Sequence, residues 1–163
     1  MLARVIDPDS AVPPYEQVAK MLRDEIAQGA MTGRIPSVHT IAAMYEAFGR
    51  GDVPYVLGQM VSDVEWIETE AGNIPTHGTF SSPQEVLENV FAKVPEHFEQ
   101  FELHPELWIE AGDDVVVTGR VVARTRTGRK LDAPYAHVFS FRDGKVCRND
   151  NFHDTALWTA ALA

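Results

Sequence analysis

The sequence has little cysteine, few basic residues and no long apolar run, and each shortage narrows the class of protein. Cys147 is the only cysteine among 163 residues, which excludes an intramolecular disulfide and is compatible with a cytoplasmic location. No stretch of about 18 apolar residues occurs, so no membrane-spanning helix is predicted. Residues 1–10 lack the apolar centre of a signal peptide. The 14 basic and 24 acidic residues give a net charge of −10, which argues against nucleic acid or an anionic membrane as a partner.

The remaining composition is that of an ordinary globular chain. Apolar residues make up 45% and charged residues 23%, which is typical of a folded domain. The length suits one domain with a short appendage. We predict that residues 1–36 form a tail and an extra amphipathic helix, and that residues 37–163 form the main domain. The apolar stripe of the extra helix consists of Tyr15, Val18, Ala19, Leu22 and Ile26.

Hydrophobic periodicity predicts an α+β fold for residues 37–163. Helical spacing follows Ser37, continues in a short second helix and returns after Ser82. Alternation of apolar and polar residues predicts a strand that contains Trp66 and Glu68, and later a series of long antiparallel strands joined by tight turns. A short helix ends the chain. This order indicates a curved sheet with helices packed on one face.

Three segments carry a resemblance to a known family. They are IAAMYEAFGRGDVPYVLGQMVSDVEW, HGTFSSPQEVLENVF and DDVVVTGRVVARTRTGRKLDAPYAHVFSFRDGKVCRNDNFHDTALWTAAL. In this order they resemble the SnoaL-like or ketosteroid-isomerase-like superfamily, which has the nuclear transport factor 2-like fold, over about residues 38–163. The resemblance implies a conical α+β fold whose hollow binds a small apolar molecule. It also implies a homodimer and chemistry without a cofactor.

A second resemblance concerns the N-terminal segment. Residues 13–38, PPYEQVAKMLRDEIAQGAMTGRIPSV, resemble the opening of a GntR-type winged-helix domain. The recognition helix that such a domain places in the major groove is missing, because the sequence runs directly into the isomerase-like helix. We therefore expect the segment to cap or dimerise the fold. A truncated ligand-sensing transcriptional regulator is the least favoured interpretation.

Two carboxylates are candidates for a catalytic base. Acid–base chemistry in an apolar hollow needs a buried carboxylate or histidine, because burial shifts the pKa towards the working pH. Glu68 follows Trp66 on one strand face and matches the position of the catalytic aspartate in ketosteroid isomerases. Asp154 is similar to the base of SnoaL-like cyclases, with His137 as its hydrogen-bond partner or acid. The sequence leaves both candidates open.

The resemblance does not extend to every catalytic group. The oxyanion-binding tyrosine and aspartate of ketosteroid isomerases fall on Met44 and Ala136, so steroid isomerisation is not expected. Tyr45 is adjacent to the first position. We expect that it cannot simply replace the missing tyrosine, because one helical residue rotates a side chain by about 100°.

Further residues are predicted around the hollow. Arg120 and Asp154 match two groups of limonene-epoxide-hydrolase-like enzymes, whose third group falls on Val122, so epoxide hydrolysis is a minor alternative. No metal site is predicted, because no histidine pair has the spacing of metal ligands. The predicted pocket residues are Tyr45, Trp66, Arg120, Tyr135, Asn151, Phe152 and His153.

The pairing of the last two strands decides which side chains face the hollow. If the turn between them has two residues, His137 lies opposite Asp150, and Asn151 faces the other side of the sheet. The isomerase resemblance favours the face with Asn151 and His153, whereas the cyclase resemblance favours the face with His137 and Asp154. A bulge near Asn151 would bring both sets inward.

The leading hypothesis is a SnoaL-like enzyme. It would cyclise, isomerise or dehydrate an apolar, polyketide-like substrate by proton transfer without a cofactor. The alternative is a non-catalytic module that binds a small ligand or dimerises. We expect a homodimer formed through an open apolar sheet face that carries Phe139, Phe141 and Val146.

Overall fold

The computed structural model describes residues 37–69 and 74–163. The tail and the extra helix predicted within residues 1–36 lie outside this part of the chain. In chain order the elements are α1 (Ser37–Gly49), α2 (Val53–Gly58), β1 (Met60–Glu68), β2 (Gly78–Phe80), α3 (Pro83–Val86), a π-helix (Leu87–Phe91), α4 (Lys93–His97), β3 (Phe98–Ala111), β4 (Asp114–Thr125), β5 (Lys130–Arg142), β6 (Lys145–His153) and α5 (Thr155–Leu162).

The strands form one six-stranded curved sheet in the order β2-β1-β6-β5-β4-β3. Strands β3 to β6 make an antiparallel meander. Strand β1 pairs in parallel with β6 and antiparallel with β2. The first strand therefore lies beside the last one, and Glu68 is directly opposite Asn151. The predicted α+β fold, with helices packed on a curved sheet, is confirmed. No helix in the described ranges is long and apolar enough to cross a membrane.

The core lies between the helices and one face of the sheet, called here the inner face. Alternate residues of β4 and β5 are buried, as the two-residue period of a strand requires. Helix α1 buries Ile41, Met44 and Ala47 at helical spacing. The largest fully buried side chains are Ile41, Val64, Ile74, Val86, Val115, Val117, Val121, Leu131, Val146 and Asn149.

The helix predicted from Ser82 onwards is interrupted. Ser82 caps its start, since its hydroxyl oxygen accepts a hydrogen bond from the backbone N–H of Glu85 at 3.2 Å. The α-helical turn then widens into the π-helix Leu87–Phe91. π-helices are rare and frequent at functional sites. This one carries Val90 and Phe91, which line the cavity described below.

A close approach between β3 and β4 depends on Gly119. A Cβ atom at this position would press on the carbonyl oxygen of His104 and would lie 2.8 Å from the hydroxyl oxygen of Tyr135 and 2.9 Å from Cα of Pro105. The register of β3 shifts between Pro105 and Leu107, which is the bulge that a strand proline favours. Gly119 therefore leaves room for the ring of Tyr135, its direct neighbour on β5.

The apolar face predicted for dimerisation is not open. Phe139, Phe141 and Val146 are buried on the inner face, with 4%, 7% and 0% exposure. The prediction that these three residues form an exposed surface is wrong, because the strand alternation turns them towards the core. Among the residues that the structure describes, the exposed large apolar side chains are Tyr55, Leu107, Ile109, Val122, Phe152 and Leu157.

Candidate functional site

A cavity of about 100 Å³ lies between the inner face of the sheet and the helices. Its wall is mainly aromatic and aliphatic, with a polar side where β1, β5 and β6 meet. An apolar cavity of about 150 Å³ can hold a benzene molecule, and this space is of the same order and partly open, so a compact ring compound can occupy it. The lining residues are Met44, Tyr45, Phe48, Val56, Trp66, Glu68, Thr76, Val90, Phe91, Val94, Phe98, Phe101, Leu103, His137, Phe139, Asn151, His153 and Trp158.

The carboxylate of Glu68 is buried at the polar side of the cavity, with 4% of the residue exposed. Its Oε1 accepts hydrogen bonds from Nε1 of Trp66 at 2.7 Å and from Nδ2 of Asn151. Its Oε2 lies 3.2 Å from Nε2 of His153. Trp66 and Glu68 share the inner face because they are two residues apart on β1. Burying a carboxylate is costly unless donors surround it, and these neighbours supply them.

The amide of Asn151 is itself held in place. Nδ2 of Asn149 donates a hydrogen bond to Oδ1 of Asn151 at 2.9 Å. With its oxygen occupied in this way, Asn151 presents its NH₂ group to Glu68. Alternate inner-face positions of one strand thus orient the carboxylate on the neighbouring strand.

A second polar pair joins β5 to α1. The hydroxyl oxygen of Tyr45 is 2.6 Å from Nδ1 of His137. The imidazole of His137 stacks on the ring of Tyr135, with centroids 4.3 Å apart, and meets His153 edge-on at 5.9 Å. Both histidines and both tyrosines therefore form one aromatic cluster beside the cavity.

Burial fixes the protonation of this second pair. Desolvation, with His153 nearby, lowers the pKa of His137 well below 6.5, so its imidazole is neutral at neutral pH. Desolvation, with Tyr135 nearby, raises the pKa of Tyr45 well above 10.0. Burial likewise raises the pKa of Tyr135 to about 12. Both phenols therefore keep their protons.

A bulge in β6 sets which side chains reach the cavity. Next to the turn, Phe141 pairs with Val146, but Ser140 then pairs with Arg148. Cys147 is the extra residue between these two pairs. Every pairing beyond it is shifted by one residue from the pairing that a regular hairpin predicts.

The shift brings together the residues that the sequence assigned to opposite faces. His137 lies opposite Asn151 rather than Asp150, so the predicted pairing with Asp150 is wrong. A bulge does bring residues of both sets inward, but it lies at Cys147 rather than near Asn151. His137, Asn151 and His153 consequently line the same cavity.

Asp154, the second candidate base, does not line the cavity. Its carboxylate accepts a hydrogen bond from the backbone N–H of Leu157 at 3.1 Å and caps α5. The cap starts the helix that carries Trp158 to the cavity wall. The structure therefore gives Asp154 a role in positioning α5.

Three other predicted pocket residues also lie off the cavity wall. Arg120 pairs with the carboxylate of Asp132 at 2.7 Å on the outer face. Phe152 is 55% exposed. Tyr135 is buried but stacks behind His137 rather than lining the space. The predicted residues that do line the cavity are Tyr45, Trp66, Glu68, His137, Asn151 and His153.

Most of the aromatic side chains of the cavity wall were not predicted from the sequence. Phe48, Phe91, Phe98 and Phe101 come from α1, the π-helix and β3. Trp158 was also missed, although its position one helical turn after an N-cap residue was a usable signal. In the described ranges no three His, Cys, Asp or Glu side chains are grouped as metal ligands.

The fold and the cavity define a class of small α+β domain that encloses a ligand-sized space. A family model described as the SnoaL-like domain matches residues 41–149. The match covers more than half of the chain, and the chain belongs to this family. A comparison with curated proteins found no match.

Solved structures show the same relationship. The chain is similar to an NTF2-like protein of unknown function from Burkholderia pseudomallei, with 29% identity and a TM-score of 0.74 over 78% of this chain and 97% of that one. It is similar to TerC, co-crystallised with polyporic acid, with 31% identity and a TM-score of 0.72 over 78% and 98%. A candidate SnoaL-like polyketide cyclase from Jannaschia shares the fold, with 20% identity and a TM-score of 0.68 over 81% and 97%.

Proposed function

We propose that the protein is a small-molecule enzyme that performs acid–base chemistry without a cofactor on an apolar substrate held in the cavity. The reaction class is cyclisation, isomerisation or dehydration, and a polyketide-like compound suits the apolar wall. The observation that carries this proposal is the buried carboxylate of Glu68 at the polar side of a cavity whose wall is mainly apolar. Folding alone does not require a carboxylate there, since an apolar side chain would avoid its desolvation.

Glu68 is the proposed base. Its Oε1 is occupied by Trp66 and Asn151, which fix the plane of the carboxylate. Its Oε2 contacts His153 alone among the described residues, so this oxygen keeps a lone pair for a substrate proton. Because the carboxylate is already held in one orientation beside the bound substrate, the reaction does not have to spend entropy on bringing the two groups into the reactive geometry.

His137 is the proposed hydrogen-bond donor to the substrate. With its proton on Nε2, the neutral ring accepts a hydrogen bond from Tyr45 at Nδ1 and offers Nε2–H to an oxygen atom. Such a donor stabilises the negative charge that develops on a carbonyl oxygen when a neighbouring carbon loses a proton. Tyr45 and His137 each stand one residue from Met44 and Ala136, the positions where the family resemblance would place these donors.

The proposed proton transfer is balanced within the site. Glu68 takes a proton from a carbon next to a substrate carbonyl, and the electron pair moves to the carbonyl oxygen as an enolate. The protonated Glu68 then returns the proton to another carbon of the same molecule. The similarity to TerC supports a small-molecule ligand for this chain, because TerC was co-crystallised with polyporic acid.

Proton exchange tests this function without knowledge of the natural substrate. The probe is 2-indanone, a compact apolar ketone, incubated in D₂O and followed by the loss of its α-proton NMR signals. We expect the wild-type chain to accelerate exchange over buffer, and Glu68→Gln to lower the acceleration at least 100-fold. Glu65→Gln, the matched change on the outer face of β1, keeps it. Equal acceleration by wild type and Glu68→Gln contradicts the assignment of the base.

A non-catalytic binding module is the second candidate. It is favoured by the two donors that already occupy Oε1 of Glu68, because a carboxylate held in this way can shape a binding site without taking part in a reaction. Saturable binding of 2-indanone with no accelerated exchange is the result that identifies such a module.

A further inference from the structure

Two polar atoms on side chains that line the cavity are buried without a hydrogen-bond partner within residues 37–69 and 74–163. They are Nδ1 of His153 and Nε1 of Trp158. The rings that carry them are neighbours, with centroids 5.1 Å apart and planes inclined by 47°. Both side chains line the cavity. A buried polar group without a partner is destabilising, so two adjacent ones call for an explanation.

The two atoms have complementary chemistry. The indole Nε1–H of Trp158 can only donate. In the neutral imidazole with its proton on Nε2, where it meets Oε2 of Glu68, Nδ1 of His153 can only accept. A group that accepts from one and donates to the other therefore needs both a lone pair and a proton. A hydroxyl group has both.

The part of the chain that the structure describes offers no such group at this place. On its other sides Trp158 meets the phenyl rings of Phe98 and Phe101, at centroid distances of 5.7 and 6.2 Å. The nearest ring to His153 besides Trp158 is that of His137, at 5.9 Å. Both rings also border the cavity, so a ligand bound there lies next to the pair.

We propose that the cavity binds a ligand with a hydroxyl group, which accepts a hydrogen bond from Nε1 of Trp158 and donates one to Nδ1 of His153. This inference rests on the cavity being a ligand site, as the proposed function requires, but not on catalysis by Glu68. It narrows the substrate class to alcohols, phenols or enols. It also gives His153 a second contact, so that the imidazole links the ligand hydroxyl to the carboxylate of Glu68.

Phenol and toluene are a matched pair of probes, because they share size and differ in the hydroxyl group. We expect the wild-type chain to bind phenol about tenfold more tightly than toluene, measured by titration of ¹H–¹⁵N NMR spectra. Phenol should also move the Nε1–H resonance of Trp158 downfield, and toluene should not. This second readout needs no variant and therefore does not depend on the folding of a mutant.

Two variants locate the effect. Trp158→Phe removes the donor, and the ratio of toluene to phenol Kd should fall several-fold. Trp108→Phe makes the same indole-to-phenyl change at a residue that does not line the cavity, and the ratio should stay as in wild type. Retained phenol preference in Trp158→Phe overturns the proposal.

The outcomes also separate this inference from the proposed function. Equal binding of phenol and toluene by wild type overturns it, and indicates that a resident water molecule satisfies the two nitrogens. Clear phenol preference without exchange of 2-indanone supports the hydroxyl site while removing the catalytic role of Glu68. No binding of either probe overturns both.

Discussion

The same pair of strands, β1 and β6, carries a polar cluster on each face, and the two clusters have opposite environments. The inner cluster joins Glu68 to Asn151 and His153 beside the cavity. In the outer cluster Arg148 forms ion pairs with Glu65 and Asp150, and its Nε lies 2.6 Å from Oδ2 of Asp150. The members alternate along the strands, so neighbours in the sequence belong to different clusters.

The difference between the clusters is access to water. In the outer cluster about half of the Glu65 side chain and 41% of that of Arg148 are exposed, and an ion pair of this kind contributes about 0–1 kcal/mol. In the inner cluster the side chains of Glu68 and His153 are only 5% and 10% exposed, so each lost partner leaves a desolvated group. The inner cluster is therefore the one whose existence calls for a function.

The largest predicted effect on stability separates the two clusters directly. Asn151→Leu removes a donor from Glu68 and an acceptor from Asn149, and should lower the free energy of unfolding by about 3 kcal/mol. Asp150→Leu, one residue away on the outer face, should lower it by less than about 1 kcal/mol. Urea denaturation measures both, and equal losses contradict the contrast between the faces.

The second largest predicted loss of stability is that of a substitution at Gly119, with Gly58 as the comparison. Gly119→Ala should lower the free energy of unfolding by about 2 kcal/mol, because the new Cβ meets the Tyr135 hydroxyl and the backbone of β3. Gly58→Ala is the control, since nothing lies within 4 Å of its added Cβ. A Gly119→Ala protein as stable as Gly58→Ala would show that the strands have room to move apart.

The third predicted effect is a dependence of stability on pH, which arises from His137 on the inner face. Because the pKa of His137 is lowered on folding, the unfolded chain binds more protons below pH 6.5. Wild-type stability should therefore fall with decreasing pH, by up to about 1.4 kcal/mol per pH unit from this residue. His137→Gln should lose this contribution.

Comparison with an exposed histidine isolates that contribution. His104 has 53% of its side chain exposed, and His104→Gln should keep the wild-type slope between pH 6.5 and 5. Denaturation at several pH values gives the three slopes. A slope in His137→Gln equal to that of wild type contradicts the burial of a neutral His137.

The smallest effect concerns salt. Raising the ionic strength from about 0.05 to 0.5 M shortens the range of exposed electrostatic interactions, and should reduce the contribution of Arg148 by a few tenths of a kcal/mol. The difference in stability between wild type and Arg148→Gln measures this contribution at each salt concentration. A contribution that grows with salt would contradict the exposed character of the outer cluster.

Sequence patterns predicted the fold well, because the burial of one face of each helix and strand makes its apolar residues recur at a regular spacing. The alternation around Trp66 and Glu68 identified β1 and its inner face, and Ser82 identified a helix start. The π-helix and the short strand β2 were missed, since a single added residue in a helix turn and a three-residue strand leave no distinct period.

The candidate site was predicted only in part, and the bulge at Cys147 explains the main error. A hairpin pattern gives the register only as long as no residue is inserted. The one extra residue places His137 and Asn151 on the same face of the sheet, whereas the regular hairpin placed them on opposite faces. Asp154 was misplaced for a different reason: an aspartate between a strand and a helix suits both a base and an N-cap, and here it caps α5.

The most direct test of the account is the location of bound 2-indanone by intermolecular NOEs. Binding beside the inner cluster predicts NOEs from the probe to the rings of Trp66, Phe91 and Phe139 inside the cavity, and their loss when Leu103→Trp fills that space. NOEs confined to Ile67 and Phe152, which border a depression on the outer face, would contradict the claim that the inner cluster is the functional site.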